Sequence, residues 1–92
     1  MKVIKISAIW CSACLITNKS FNKLKEKYNF EYEELDLDMD QEEVVKYHVG
    51  ENIPLFIVLD NDKEITRFSK EFNYEELKEE LTKVGVINEK DS

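Results

Sequence analysis

Two cysteines separated by two residues are the chemistry-bearing feature of this sequence. They follow Trp10 at positions Cys11 and Cys14, and the chain contains no other cysteine. Two thiols at this spacing can exchange with a disulfide, because one thiolate attacks it and the second thiol resolves the mixed disulfide that forms. The spacing therefore predicts a reversible dithiol–disulfide centre.

The segments on either side of the cysteines predict where each thiol lies. An apolar, β-branched run from Lys2 to Ala8 indicates a strand, and a helical pattern extends from Leu15 to Tyr28. Residues at alternating spacings of three and four form the inner stripe of that helix: Cys14, Thr17, Phe21, Leu24 and Tyr28. Cys11 lies at the helix start, where unpaired N–H groups favour a thiolate. We therefore expect Cys11 to be the nucleophile and Cys14 to be the resolving thiol.

The rest of the chain predicts three more strands and two more helices. The strands are predicted at 30–37, 55–59 and 64–68, the second of them buried on both faces. Capping boxes open the two helices, at Asp40–Glu43 and at Asn73–Glu76, and Gly50 and Gly85 are expected to end them. The order β-α-β-α-β-β-α predicts an α/β fold: a four-stranded mixed sheet with helices on both faces. Residues 1–87 form one domain in this interpretation, and 88–92 form a polar tail.

Composition narrows the function classes. A formal charge of −7 argues against binding to nucleic acid or to anionic membrane surfaces. No apolar run approaches the roughly 20 residues that span a bilayer, and the N-terminus lacks a signal-peptide pattern, so we expect a cytoplasmic protein. Zinc needs about four ligands. Because two cysteines and His48 fall short of that, we expect no metal site within one chain, and a site shared between two chains stays open. We expect no cofactor.

The Trp-Cys-x-x-Cys motif between the first strand and the first helix, together with Ile53-Pro54 before the third strand, resembles the thioredoxin superfamily. The resemblance covers roughly residues 2 to 85, in a chain of glutaredoxin-like size. It implies a thioredoxin-like fold in which Pro54 is a cis-proline facing the cysteine loop. It also implies that Trp10 shields the cysteine pair, and that the backbone of Ile53 pairs with an extended substrate.

The resemblance further implies a protein-disulfide reductase. Its partners would be disulfide-containing proteins and an upstream reductase, and we expect it to act as a monomer. Two alternatives stay open: a non-catalytic adaptor of thioredoxin fold that binds partners or senses oxidation, and a glutathione-dependent enzyme of the glutaredoxin type. The acidic stretch 31–43 is either a solvated surface or one that selects basic partners.

Two departures separate this chain from the family pattern. Ser12-Ala13 replaces the usual Gly-Pro between the cysteines. The family also has a buried acid six residues before the first cysteine and a lysine on the second strand, whereas here those positions are Lys5 and Glu34. Either the two residues form a buried pair that relays the proton of Cys14, or Lys5 extends to solvent at an open sheet edge.

Overall fold

The computed structural model describes residues 1–50 and 52–88. A single mixed sheet with strand order β2-β1-β3-β4 organises the described chain. The elements run in the order β1 Lys2–Ser7, α1 Ser12–Lys27, β2 Glu31–Asp36, α2 Gln41–Val44, β3 Leu55–Asp60, β4 Lys63–Ser69 and α3 Tyr74–Lys83. β1 pairs in parallel with β2 and antiparallel with β3, and β3 pairs antiparallel with β4. The predicted α/β fold is confirmed.

Each face of the sheet carries its own apolar cluster. Alternation along β1 sends Val3 to the face covered by α1 and α3, and Ile4 to the face covered by α2. The first cluster is built on Val3, Phe21, Leu24, Phe56, Phe72, Leu77 and Leu81. β3 lies in the middle of both, and its residues from Leu55 to Val58 are buried, as their apolar run predicts.

α1 follows the predicted inner stripe. All five positions of that stripe, from Cys14 to Tyr28, are buried. The helix begins at Ser12, three residues earlier than its pattern of apolar residues suggests, and Cys11 is its N-cap. The loop between β1 and α1 is therefore short, and it carries both Trp10 and Cys11.

Two predictions about α2 are wrong. Asp40 makes no capping hydrogen bond, because its carboxylate instead accepts one from the Asp36 backbone N–H at 2.8 Å. The helix does not continue to Gly50. It tightens into a 3₁₀ turn, Val45–Tyr47, and ends at His48, which adopts the left-handed conformation with φ 52°.

The C-terminal part follows the prediction closely. The two turn residues of the β3–β4 hairpin, Asn61 and Asp62, both have positive φ, as a two-residue turn of the I′ type requires. At the start of α3 the Asn73 side chain accepts from Glu76 N–H, and the Glu76 carboxylate accepts from Asn73 N–H, so this capping box is confirmed. Of the predicted polar tail, positions 89–92 lie outside the described residues. Within residues 1–50 and 52–88, no helix is long and apolar enough to cross a membrane.

Candidate active site

Cys11 lies at the mouth of the site. Its backbone is extended, with φ −92° and ψ 111°, and its Sγ accepts a hydrogen bond from the Cys14 backbone N–H at 3.1 Å. The sulfur thus takes the place that a Ser or Asp oxygen occupies in an ordinary helix N-cap. Its side chain is partly exposed. A helix N–H therefore points at a sulfur that solvent can reach.

Cys14 lies one helical turn further and is fully buried. The pKa of the Cys14 thiol is raised from 9.0 to about 11, chiefly by burial and secondly by the hydrogen bond with Cys11. A hydrogen bond from the Ala8 backbone and the charge of Lys5 act in the opposite direction. Both cysteines are free thiols, and their environments differ strongly: one sulfur faces solvent and the other faces the core.

The segment before β3 closes the other side of the loop. The Ile53–Pro54 peptide bond is cis. The Ile53 carbonyl oxygen lies 3.9 Å from Cys11 Sγ, so this backbone is in contact with the exposed thiol. Pro54 is buried, and its carbonyl oxygen accepts a hydrogen bond from the Ser69 hydroxyl at 2.7 Å, which ties the segment to β4.

Trp10 forms an exposed apolar surface next to Cys11. Its ring is 65% exposed, and its Nε1 donates to an Asp38 carboxylate oxygen at 2.7 Å. Met39, the next residue, is 78% exposed. The indole therefore spans from the cysteine loop to the loop after β2, and its orientation is held by one hydrogen bond.

Lys5 and Glu34 lie directly opposite each other in the β1–β2 ladder and form an ion pair, with Nζ and Oε1 3.0 Å apart. Lys5 is only 4% exposed, so it does not extend to solvent. Its buried ammonium has a lowered pKa because of desolvation, and Glu34 opposes that change. The pKa of Glu34 is lowered by its hydrogen bonds with Lys5 and Lys25, although partial burial opposes this.

Two further residues bind the Lys5–Glu34 ion pair, and neither of them was predicted from the sequence. Asn18 Oδ1 accepts from Lys5 Nζ at 2.6 Å, and Lys25 Nζ lies 3.1 Å from Glu34 Oε1. Asn18 follows Cys14 by four residues, which puts both on one side of α1. A buried lysine needs more than one acceptor, and that need combined with this spacing is the signal that points to Asn18.

The site can therefore carry out dithiol chemistry with an exposed sulfur backed by a buried one. Among residues 1–50 and 52–88, no group of three or more His, Cys, Asp or Glu side chains is placed to hold a metal ion.

The family relationship follows from the whole chain as well as from the site. The sequence model of the thioredoxin family matches residues 1–83. The chain belongs to the thioredoxin family. It is a thioredoxin-type redox protein in which Cys11 is the N-cap of α1 and Cys14 lies in the first turn of that helix. No curated protein sequence matches it.

Solved thioredoxin structures superpose well on this chain. Fasciola hepatica thioredoxin is 32% identical, with a TM-score of 0.73 over 89% of this chain and 78% of that one. A Schistosoma mansoni thioredoxin is 24% identical, with a TM-score of 0.77 over 89% and 74% of the two chains. Thioredoxin 1 from Thermosipho africanus shares 21% identity and the fold, with a TM-score of 0.76 over 91% and 93%.

Proposed function

We propose that this protein is a thiol–disulfide oxidoreductase that reduces protein disulfides, with Cys11 as the nucleophile and Cys14 as the resolving thiol. The observation that supports it most is the asymmetry of the pair. Cys11 Sγ accepts from the Cys14 N–H and is open to solvent, whereas Cys14 Sγ is buried behind it. This arrangement favours attack by one sulfur and protects the other until a mixed disulfide has formed.

The reaction proceeds in two exchanges. The Cys11 thiolate attacks one sulfur of a substrate disulfide, and the S–S bond's electron pair leaves with the other sulfur, which takes up a proton. Cys14 then loses its proton and attacks Cys11 Sγ. The second substrate sulfur leaves as a thiolate and is protonated, so the substrate gains two electrons and the protein holds a Cys11–Cys14 disulfide. An upstream reductase returns the two electrons.

The surroundings of Cys11 supply a place for the substrate. We assign Trp10 as the apolar surface against which the substrate chain lies, because its ring is exposed and held by Asp38. Ile53 is assigned to pair through its backbone with an extended substrate segment, since its carbonyl already reaches the exposed sulfur. Pro54 anchors that segment through its bond to Ser69.

We also assign the protein a cellular compartment and an oligomeric state. A reductase needs a compartment that keeps its own thiols reduced, and we place this protein in the cytoplasm for that reason. Both cysteines come from one chain, so a monomer contains the whole site.

The test is reduction of insulin by dithiothreitol in the presence of the protein. We expect the parent to accelerate it, and Cys11→Ser and Cys14→Ser each to abolish the acceleration. Lys63→Ser is the control, because Lys63 is exposed at the hairpin turn, beside the end of β1 remote from the cysteines. An inactive parent would reject the proposal in favour of the adaptor, and turnover confined to glutathione mixed disulfides would favour the glutaredoxin type.

A further inference from the structure

Lys5 is a buried cation on the face of the sheet that α1 covers. Its neighbour two residues earlier on that face, Val3, is in the same apolar cluster as Phe21 and Phe56. A lysine in such a position costs free energy unless its charge is used or compensated. The groups around the Lys5 ammonium therefore have to compensate its charge or use it.

Three groups hold the Lys5 ammonium. Nζ donates to Glu34 Oε1 at 3.0 Å and to Asn18 Oδ1 at 2.6 Å, and it lies 5.2 Å from the centre of the Phe21 ring. The amide oxygen of Asn18 can only accept, and the carboxylate and the ring face both favour a cation. These contacts stabilise the protonated form of Lys5 against the cost of burial.

The same contacts place the ammonium on the side of α1 that carries the resolving thiol. Asn18 and Phe21 follow Cys14 by four and seven residues, so all three lie along one side of α1. The titratable groups that act on the Cys14 thiol are Cys11 from its own helix and Lys5 from β1. Glu34 of β2 and Lys25 of α1 face Lys5 in turn.

We propose that Lys5 is a positioning residue that acts on Cys14 by its charge: it stays protonated throughout the cycle and stabilises the Cys14 thiolate that resolves the mixed disulfide. Asn18 holds the ammonium against the helix, and Glu34 keeps it protonated. This inference rests on the proposed dithiol function and adds the group that assists its second step. The proton of Cys14 leaves to water and the departing substrate thiolate takes one up, so Lys5 neither gains nor loses a proton.

The experiment isolates that second step. One equivalent of dithiobis(nitrobenzoate) converts reduced Cys11 to its mixed disulfide with thionitrobenzoate and releases a first coloured thiolate, and the slower release of the second coloured thiolate is followed as a function of pH. Lys5→Met removes the charge, and Lys5→Arg keeps a charge that cannot be given up. Asn18→Asp keeps the shape of the side chain and adds a negative charge beside Lys5. Lys23→Met is the matched control, because it removes an exposed lysine of the same helix.

For each unit by which the pKa of Cys14 rises, its thiolate fraction falls about tenfold while thiolate nucleophilicity rises about threefold. We therefore expect Lys5→Met to slow release about threefold at neutral pH, and to move the midpoint of the pH profile upward by about one unit. Asn18→Asp shifts the profile in the same direction without disturbing the core. Lys5→Arg restores the parent profile, and Lys23→Met leaves it unchanged.

Three results would overturn this inference. The profile of Lys5→Met could match that of the parent, or Asn18→Asp could leave the midpoint in place. Lys5→Arg could be as slow as Lys5→Met in a folded protein, which would make Lys5 a proton acceptor instead. Release that is equally fast in Cys14→Ser would instead refute the proposed dithiol function, and this inference would fall with it.

Discussion

The contrast between the two thiols predicts that Cys14 is chemically protected in the folded protein. The variant Cys11→Ser leaves Cys14 as the one thiol of the chain. Burial, the largest cause of the raised pKa of Cys14, persists in this variant, while the smaller contribution of Cys11 is lost. In the parent, a pKa of about 11 instead of 9.0 lowers the thiolate fraction at neutral pH roughly a hundredfold, so a hundredfold is the upper bound for the variant.

A more basic thiolate is also more nucleophilic, by roughly eightfold over two pKa units. The net effect of charge alone is therefore a slowing of at most about tenfold, and complete burial of the sulfur slows the reaction further. The assay is alkylation of Cys11→Ser by iodoacetamide, folded and unfolded in urea, so that the same thiol is its own reference. Equal rates in the two states, corrected for the effect of urea on a free thiol, would refute the asymmetry on which the proposed mechanism depends.

The remaining predictions concern stability. The folded protein favours the neutral form of the Cys14 thiol, so the free energy of unfolding of the reduced protein is highest below pH 9.0, the pKa of this thiol in the unfolded chain. About 3 kcal/mol of that free energy is lost as pH rises toward 11. Urea unfolding of Cys14→Ala should lack that alkaline loss, and the same loss in both proteins would contradict the burial argument. Thr17→Val leaves the buried Phe72 N–H without its acceptor, which lies at 3.0 Å, and should lower the free energy of unfolding by about 1–3 kcal/mol. Asn73→Ala removes the cap of α3 and should cost about 1 kcal/mol in urea unfolding. Gly85→Ala forces a side chain into φ 87° and should cost about 1–2 kcal/mol, so an unchanged denaturation midpoint would show that this turn relaxes.

The sequence was sufficient to predict the main features of the site. The spacing of apolar residues placed Cys14 on the buried side of α1, and the position of Cys11 at the helix end follows from the same pattern. The Lys5–Glu34 pair was one of two alternatives that the family resemblance and the matching side parity of the two strands left open, and the structure selects it over a solvent-exposed Lys5. These are properties of single elements or of adjacent strands, and sequence periodicity reports them well.

Features that depend on competition between local contacts were harder to predict. Asp40 has the right spacing for a capping box, but its carboxylate is taken by the Asp36 N–H, four residues earlier. Gly50 is a good left-handed residue, yet His48 adopts that conformation, because the 3₁₀ turn ends sooner. In both cases a local pattern was compatible with two sets of hydrogen bonds.

The place of Asn18 depends on how α1 lies across the sheet. Periodicity specifies which side of a helix faces inward, but it does not specify which strand residue each helical position meets. The contact of Asn18 with Lys5 therefore required the packed structure. The same holds for Trp10, whose hydrogen bond to Asp38 joins two loops that are separated along the chain.

The central claim is that Cys11 attacks a substrate disulfide and Cys14 resolves the product. Incubation of Cys14→Ser with oxidised insulin, followed by intact-mass measurement and peptide mapping, tests it most directly. The account predicts a stable mixed disulfide at Cys11 that dithiothreitol removes, and no adduct on the Cys11→Ser variant under the same conditions. Adduct formation at Cys14 in the Cys11→Ser variant as fast as at Cys11 in Cys14→Ser, or no adduct on either protein, would contradict it.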